Sequence, residues 1–494
     1  MSEGGKQLNF TKRMSASNVE LQNLTKDTPS STNVGVVEEV FTDGDGGANG
    51  GVVDGKSSVY GAIFNFVNSI IGAGIIGLPF AIRDCGLVMG VLLLVFTAWA
   101  THFSVGLLVN VGEQYHQFNY PSLAQSVLGK RGKTAVTIAM FTMGFGAMCA
   151  YMIIVGDSIT RVAGGAPEDP NNPSVLSNRR FVIFVVSVLT MLPVSLFRQM
   201  SRLAWTSLVS ILADLILVVC IVFYSSNAAK DSFVYDKDGV LVHGITSDID
   251  PFAFSFARSR IFQGVGAMSF AFVCHHSTFI VYNSMKDRTE KSWNIVSWAS
   301  IVLSLAACMT LGLAGYLAFF GWSQADVLNN FGYSAEIDFA RVLLAITMVL
   351  TYPMEAFVAR QAIHSLLFGS EARITPRKHI VITVILFLLS LTVALVTEDL
   401  GFVLEFSGAL SSSFIGYIFP PIMFMRAPAW PNQSWAKRTL TRIVLVFGVV
   451  SFVAGTTSSV ANLFSKECKS VPISNPPPGS PREQLFFTDC TVRK

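Results

Sequence analysis

The chain is poor in charge. Asp, Glu, Lys and Arg make up 14% of its 494 residues, against about 25% in an average soluble protein. The formal net charge is only +3, and the basic residues lie between apolar blocks instead of in one patch, which argues against a nucleic-acid partner. Its seven cysteines form no C-x-x-C pair and no Cys/His metal spacing. There is no G-x-x-x-x-G-K-[ST] and no H-E-x-x-H, so neither a P-loop pump nor a zinc protease is indicated, and no other enzyme signature competes. No apolar block stands at the extreme N-terminus, so no cleavable signal peptide is expected and the first span itself would direct insertion.

What fills the chain is apolar sequence, 51% of all residues. One soluble core cannot hold so much, and the chain reads as an all-α integral membrane protein. By the criterion of ~20 residues per span, about eleven blocks qualify: 59–80, 87–110, 134–157, 181–197, 203–224, 261–283, 295–320, 339–364, 379–397, 400–424 and 440–463. Glu398 and Asp399 make a very short turn between the ninth and tenth. Residues 1–57 are polar and nearly free of aromatics, which predicts a disordered cytosolic tail. Residues 58–463 form the transmembrane domain and 464–494 a lumenal or extracellular tail. Cys149, Cys220, Cys274 and Cys308 lie in apolar runs as small buried hydrophobes.

Lys and Arg in the short loops give the orientation. With the N-terminus in the cytosol, inner loops and adjoining span ends carry Lys130, Arg131, Lys133, Arg198, Arg202, Lys286, Arg288, Lys291, Arg360, Arg373, Arg377, Lys378, Arg426, Lys437 and Arg438. The short outer loops carry Arg83, and Arg341 begins a span. The sequons at Asn9, Asn23 and Asn432 then fall on the cytosolic side, where they would not be glycosylated. Cys468 and Cys490 would face an oxidising compartment in which a disulfide can close the tail.

The first span, F-N-F-V-N-S-I-I-G-A-G-I-I-G-L-P-F-A from Phe64 to Ala81, is apolar but a poor helix. Gly72, Gly74 and Gly77 each cost about 1 kcal/mol relative to Ala, and Pro79 lacks an N–H. Backbone released at bilayer depth needs protein, water or a ligand to take up its hydrogen bonds, and interrupted spans point to the substrate site of a secondary transporter. The competing reading is an unbroken helix with Ser69, Ala73 and Gly77 as a small-residue packing face. The sixth span, Phe262 to Asp287, holds adjacent His275 and His276 at its centre, costly there unless partnered or facing a cavity. Breaks in spans 1 and 6 would match a five-plus-five inverted repeat with the site between them.

Three motifs carry a family resemblance. N-S-I-I-G-A-G-I-I-G-L-P-F-A resembles the first span of the amino acid/auxin permease family. S-F-A-F-V-C-H-H-S-T-F-I-V-Y-N-S-M is similar to the sixth span of its sodium-coupled neutral amino acid transporter branch. I-T-M-V-L-T-Y-P-M-E-A-F-V-A-R is similar to the eighth. The resemblance covers about Ser57 to Leu463 and extends to fungal vacuolar amino acid transporters. It implies a leucine-transporter-like fold with broken helices 1 and 6, symport of small amino acids, and a vacuolar, lysosomal or other endomembrane location.

Physical chemistry supplies roles for residues. Free N–H groups at Gly72, Ala73 and Gly74 would hold a substrate carboxylate, and bare carbonyls around Phe272, Cys274 and His275 its ammonium. The breaks themselves carry no charged residue, which favours a neutral amino acid. For the coupling ion, Na⁺ or H⁺, the resemblance points to Asn68 and Thr351, and Thr347 lies one turn earlier on the same face. Each threonine could instead bond its own helix. Asp214, in the middle of span 5, is either a proton site or a packing acid. Glu355, after Pro353, is read as an inner-gate partner or an interhelical bond, and Glu405 and Asp157 as interfacial. No cofactor is expected. The function indicated is cation-coupled transport of neutral amino acids by alternating access. The rival is a sensor that binds an amino acid in the same pocket and signals through residues 1–57.

Overall fold

The computed structural model describes residues 57–164, 175–196, 204–228, 254–332, 334–368, 375–397 and 399–464, with strand segments at 234–235, 241–242, 467–472 and 486–491. The expected disordered tail lies outside the described residues apart from Ser57, as do Asn9 and Asn23.

Each of the eleven apolar blocks contains helix among the described residues. The elements are α1 (Val59–Ile70), α2 (Leu78–Cys85), α3 (Leu87–Tyr115), α4 (Tyr120–Gly164), α5 (Arg179–Val186), α6 (Ala204–Ala228), α7 (Ile261–Phe272), α8 (His275–Ser284), α9 (Glu290–Phe319), α10 (Ala335–Phe368), α11 (Pro376–Val396), α12 (Leu400–Ser407), α13 (Phe419–Arg426) and α14 (Trp435–Val450). Eight described helices are long and apolar enough to cross a membrane, nine with the bent pair α1 and α2 counted as one, and a shorter apolar helix runs over Val209–Ser225. π-helical stretches extend α5 through Ser187–Met191, join α12 to α13 through Gly408–Ile418, and extend α14 through Ser451–Gly455.

α4 starts at Tyr120, well before residue 134, because a short helix joins the span across a kink at Gly129 (φ 73°). That φ lies in the left-handed region, where glycine alone is unstrained. Asp399, in the expected tight turn, caps α12 by accepting from the Phe402 N–H at 3.0 Å. Outside the helices, β1 (Val234–Tyr235) pairs antiparallel with β2 (Leu241–Val242), and β3 (Glu467–Pro472) with β4 (Phe486–Thr491). The second register sets Cys468 opposite Cys490.

Burial ranks the spans. The most apolar window of Ile261–Ser284 is 89% buried and that of Trp435–Ala461 only 28%, so the sixth span is central and the last peripheral. Val219, Phe223 and Val446 are exposed on the outer faces of their helices, as expected of surface that meets lipid tails.

Both central spans are interrupted. α1 is capped by Ser58, whose hydroxyl accepts from the Gly61 N–H at 3.2 Å, and stops at Ile70. The chain then unwinds through Gly72–Gly74, makes a 3₁₀ turn over Ile75–Gly77 and resumes as α2, bent 51° from α1. Pro79 sits at the start of α2, where its missing N–H has no helical acceptor to lose. In the sixth span, Val273 is extended (φ −74°, ψ 112°) between α7 and α8, and α8 starts afresh at His275.

Candidate substrate and ion site

A cavity lies where the two breaks meet. Its wall is Ser69, Ile70, Gly72, Ala73 and Gly74 from the first span, Phe270, Val273 and His276 from the sixth, Met143, Ala147 and Tyr151 from α4, and Glu355 from α10. About 290 Å³ of space free of atoms lies among these residues, part of it open to solvent.

Two glycines allow the elements to come this close. A Cβ at Gly74 would meet the Ala271 Cα at 2.4 Å, so the first and sixth spans touch backbone to backbone. A Cβ at Gly72 would lie 3.2 Å from the Tyr151 hydroxyl, which brings α4 against the unwound segment.

The breaks expose opposite polar groups. Among the described residues, the N–H groups of Gly72, Ala73 and Gly74 have no hydrogen-bond acceptor; the bonds nearby are Ile71 N–H to the Val67 carbonyl at 2.8 Å and Ile75 N–H to the Gly72 carbonyl at 3.2 Å. Across the cavity, among the described residues, the Val273 carbonyl has no backbone donor. The Cys274 carbonyl, by contrast, accepts from the Ser277 and Thr278 hydroxyls at 2.9 and 3.1 Å. Donors beside the start of a helix and acceptors at the end of another also carry the matching ends of the helix dipoles.

The family model for transmembrane amino acid transporter protein matches residues 55–461. The chain belongs to that family. It is 33% identical over 419 residues to the provisionally named sodium-coupled neutral amino acid transporter 11 of Danio rerio, covering 84% of this chain and 88% of that protein. The similarly named Homo sapiens protein is 32% identical over 382 residues, covering 77% and 89%. Vacuolar amino acid transporter 2 of Saccharomyces cerevisiae is 28% identical over 418 residues, covering 82% and 84%.

The residues singled out from the transporter's sequence divide by position. Gly72, Ala73 and Gly74 line the cavity; the side chains of Phe272, Cys274 and His275 do not, and Phe270, Val273 and His276 take their place. The His275 ring instead faces Tyr417, centroids 6.2 Å apart, with both ring nitrogens buried and unpartnered. Asn68 precedes the lining residues on α1, is 6% exposed, and its Oδ1 is buried without a partner. Thr351 stands one turn before Glu355 and donates to the Thr347 carbonyl at 2.8 Å, while Thr347 donates to the Leu343 carbonyl at 3.1 Å. The Thr351 hydroxyl also hydrogen-bonds the Tyr151 side chain. Asp214 is buried on α6 with Oδ2 unpartnered and interacts electrostatically with Tyr151. Glu355 lies in the cavity wall, its Oε1 3.7 Å from His276 Nε2.

Sequence reasoning missed the α4 wall and the polar pairings that join the first and sixth spans beyond the cavity. Where α2 stops and α7 starts, Asp84 Oδ1 accepts from Arg83 Nε and Nη2 at 2.9 and 2.8 Å, and Arg83 Nη1 donates to the Ser323 carbonyl at 2.8 Å. Arg260 pairs with Asp84 at 3.5 Å and with Glu405 at 3.7 Å. Glu405 is 2% exposed, held inside by these partners. Asp157 instead pairs with Arg179 at 2.5 Å. At the other end, the Ser57 N–H donates to the Ser284 carbonyl at 2.9 Å and the Lys286 N–H to the Ser57 carbonyl at 3.0 Å, fastening the start of the first span to the end of the sixth. The Tyr282 hydroxyl donates to Glu113 at 2.7 Å beside them.

Proposed function

We propose that this protein is a secondary active transporter moving small neutral amino acids by alternating access, coupled to Na⁺ or H⁺. The observation that carries the reading is the cavity between two broken spans, with the unbonded N–H groups of Gly72–Gly74 and the unbonded Val273 carbonyl in its wall. A zwitterion satisfies both sets at once, and no charged side chain is needed to hold it. The N–H groups of Gly72, Ala73 and Gly74 take the carboxylate. The ammonium goes to the carbonyls at the second break, those of Ala271, Phe272 and Val273.

The names of the relatives, sodium-coupled neutral transporters and a vacuolar transporter, agree with this reading. In it, eleven spans form a leucine-transporter-like inverted repeat with the N-terminus in the cytosol, and the membrane is vacuolar, lysosomal or another endomembrane. Asn68, with an orphaned buried amide oxygen, and the Thr351 hydroxyl offer the hard oxygen donors that Na⁺ prefers. Thr347 lies on the same face, and Asp214 is available to exchange protons.

The test is uptake into proteoliposomes of labelled L-alanine, L-serine, L-glutamine and L-leucine, first with a Na⁺ gradient and then with a proton gradient. Accumulation under either gradient supports the reading. Thermal stabilisation by the same amino acids without uptake contradicts it and favours a sensor. If Na⁺ is the coupling ion, Asn68→Ala abolishes Na⁺ dependence; retained Na⁺ stimulation in that variant rejects Asn68 as its ligand.

A further inference from the structure

Two titratable side chains in the cavity wall have no role in holding a zwitterion. His276 enters from α8 and Glu355 from α10, and their side chains are 7% and 13% exposed. At 3.7 Å, Nε2 and Oε1 are close enough for an ion pair and too far apart for a hydrogen bond. Among the described residues, His276 Nδ1 and Glu355 Oε2 are buried and have no hydrogen-bond partner. No lysine or arginine is among the lining residues. The other titratable groups near the pair are few. His275 is turned toward Tyr417. Tyr151 reaches the wall from α4 and interacts electrostatically with Glu355 and, from α6, with Asp214.

The position of Glu355 is fixed by packing. A Cβ at Gly144 of α4 would come within 3.0 Å of the Glu355 carbonyl, so α10 runs tight against α4 at this level. This contact fixes the Glu355 backbone, and the residue lines the cavity.

This arrangement poses a charge problem when cargo enters. With a carboxylate and a neutral imidazole, the pair carries one net negative charge. A neutral amino acid that fills the cavity displaces the water solvating that charge and supplies nothing in return. One added proton solves the problem, either on the imidazole as an ion pair or on the carboxyl, because the pair then has no net charge. The closed, loaded state therefore holds one proton more than the open, hydrated state, and proton and substrate promote each other's binding.

We propose that His276 and Glu355 together form the site at which a proton is bound and released with the substrate, one proton per amino acid. The assignment rests on the cavity being the substrate site. It also explains how a carboxyl can line a pocket for neutral cargo. A cationic amino acid, whose side chain would supply the positive charge itself, is the competing occupant.

The full-length protein in proteoliposomes tests this with two readouts. The first is proton entry during L-alanine uptake, followed by an internal pH dye without a Na⁺ gradient. The second is labelled L-alanine counterflow at pH 5.5 and 7.5, which needs binding and exchange but no net proton movement. In the wild type we expect proton entry at one per alanine and counterflow that depends on pH. In Glu355→Gln, protons per alanine fall at least tenfold and the pH dependence of the remaining counterflow disappears. His276→Gln shifts the pH dependence to lower pH, and Glu355→Asp, which keeps the acid, recovers proton entry. Wild-type proton stoichiometry in Glu355→Gln overturns the proposal and leaves the transport reading intact. So does loss of counterflow in a Glu355→Gln protein that remains monodisperse, since Glu355 would then be a substrate contact. Uptake of L-lysine in place of alanine, without proton entry, also overturns it. If the wild type shows no counterflow with any of the four amino acids, the site reading itself fails.

Discussion

Gly74→Ala perturbs the point on which the site depends. The added Cβ would stand 2.4 Å from the Ala271 Cα, 2.7 Å from its Cβ and 3.0 Å from its N. Ordinary contact begins near 3.4 Å, so the two unwound segments must part by about 1 Å. All three neighbours belong to Ala271 and two are backbone atoms, so no flexible side chain can give way. Overpacking of this kind costs about 1–3 kcal/mol of stability. The functional loss should be larger, because the displaced atoms are the binding groups themselves, and a misplacement of ~1 Å can reduce activity by about 10²-fold. Two glycines serve as graded controls. Gly72→Ala meets only the Tyr151 hydroxyl at 3.2 Å, which can shift by a few tenths of an ångström, so its effect should be mainly on affinity. Gly106→Ala meets nothing within 4 Å and, inside α3, should stabilise by about 0.5–1 kcal/mol. Uptake in proteoliposomes, with melting temperature from fluorescence-detected size exclusion, reads all three. Wild-type transport in Gly74→Ala, or equal damage in Gly106→Ala, would refute the close contact of the two breaks.

Three further outcomes follow from the parts around the cavity. Arg260→Ala leaves Asp84 and Glu405 buried without their shared cation; a broken buried pair costs ~3–5 kcal/mol, less here because Arg260 is 45% exposed, and Glu405→Gln in the same chain should recover part of the lost melting temperature. Burial, and after it the nearby Asp157 carboxylate, push Asp326 from 3.8 up to about 7. A raised carboxyl contributes stability that is complete below its ordinary range and lost as pH rises through the folded value. The melting temperature should therefore decline between about pH 4 and pH 8, and Asp326→Asn should flatten that decline. Finally, the register of Cys468 opposite Cys490 predicts a linked peptide containing both residues in a non-reducing digest, absent from Cys468→Ser.

The breaks were legible in the sequence because their cause is local. Glycines and a proline inside an apolar block weaken a helix whatever surrounds it, and adjacent histidines at membrane depth call for a cavity or a partner. The rotation of α8 was not legible. Helical spacing relates residues only along a continuous helix, and the extended Val273 resets it, so that His276 and not His275 faces the cavity. The α4 wall gave no signal, since Met143, Ala147 and Tyr151 read as ordinary packing residues until the neighbouring helix is known. The partners of Glu405 were not legible: its nearness to a span end suggested water, whereas Asp84 and Arg260 come from distant stretches of chain.

A density map of the purified protein with a transported neutral amino acid bound tests the central claim most directly. The account predicts density in the cavity with its carboxylate against the amides of Gly72–Gly74 and its ammonium toward the carbonyls of Ala271–Val273. Either span running as a continuous helix, or the amino acid bound away from both breaks, would contradict it.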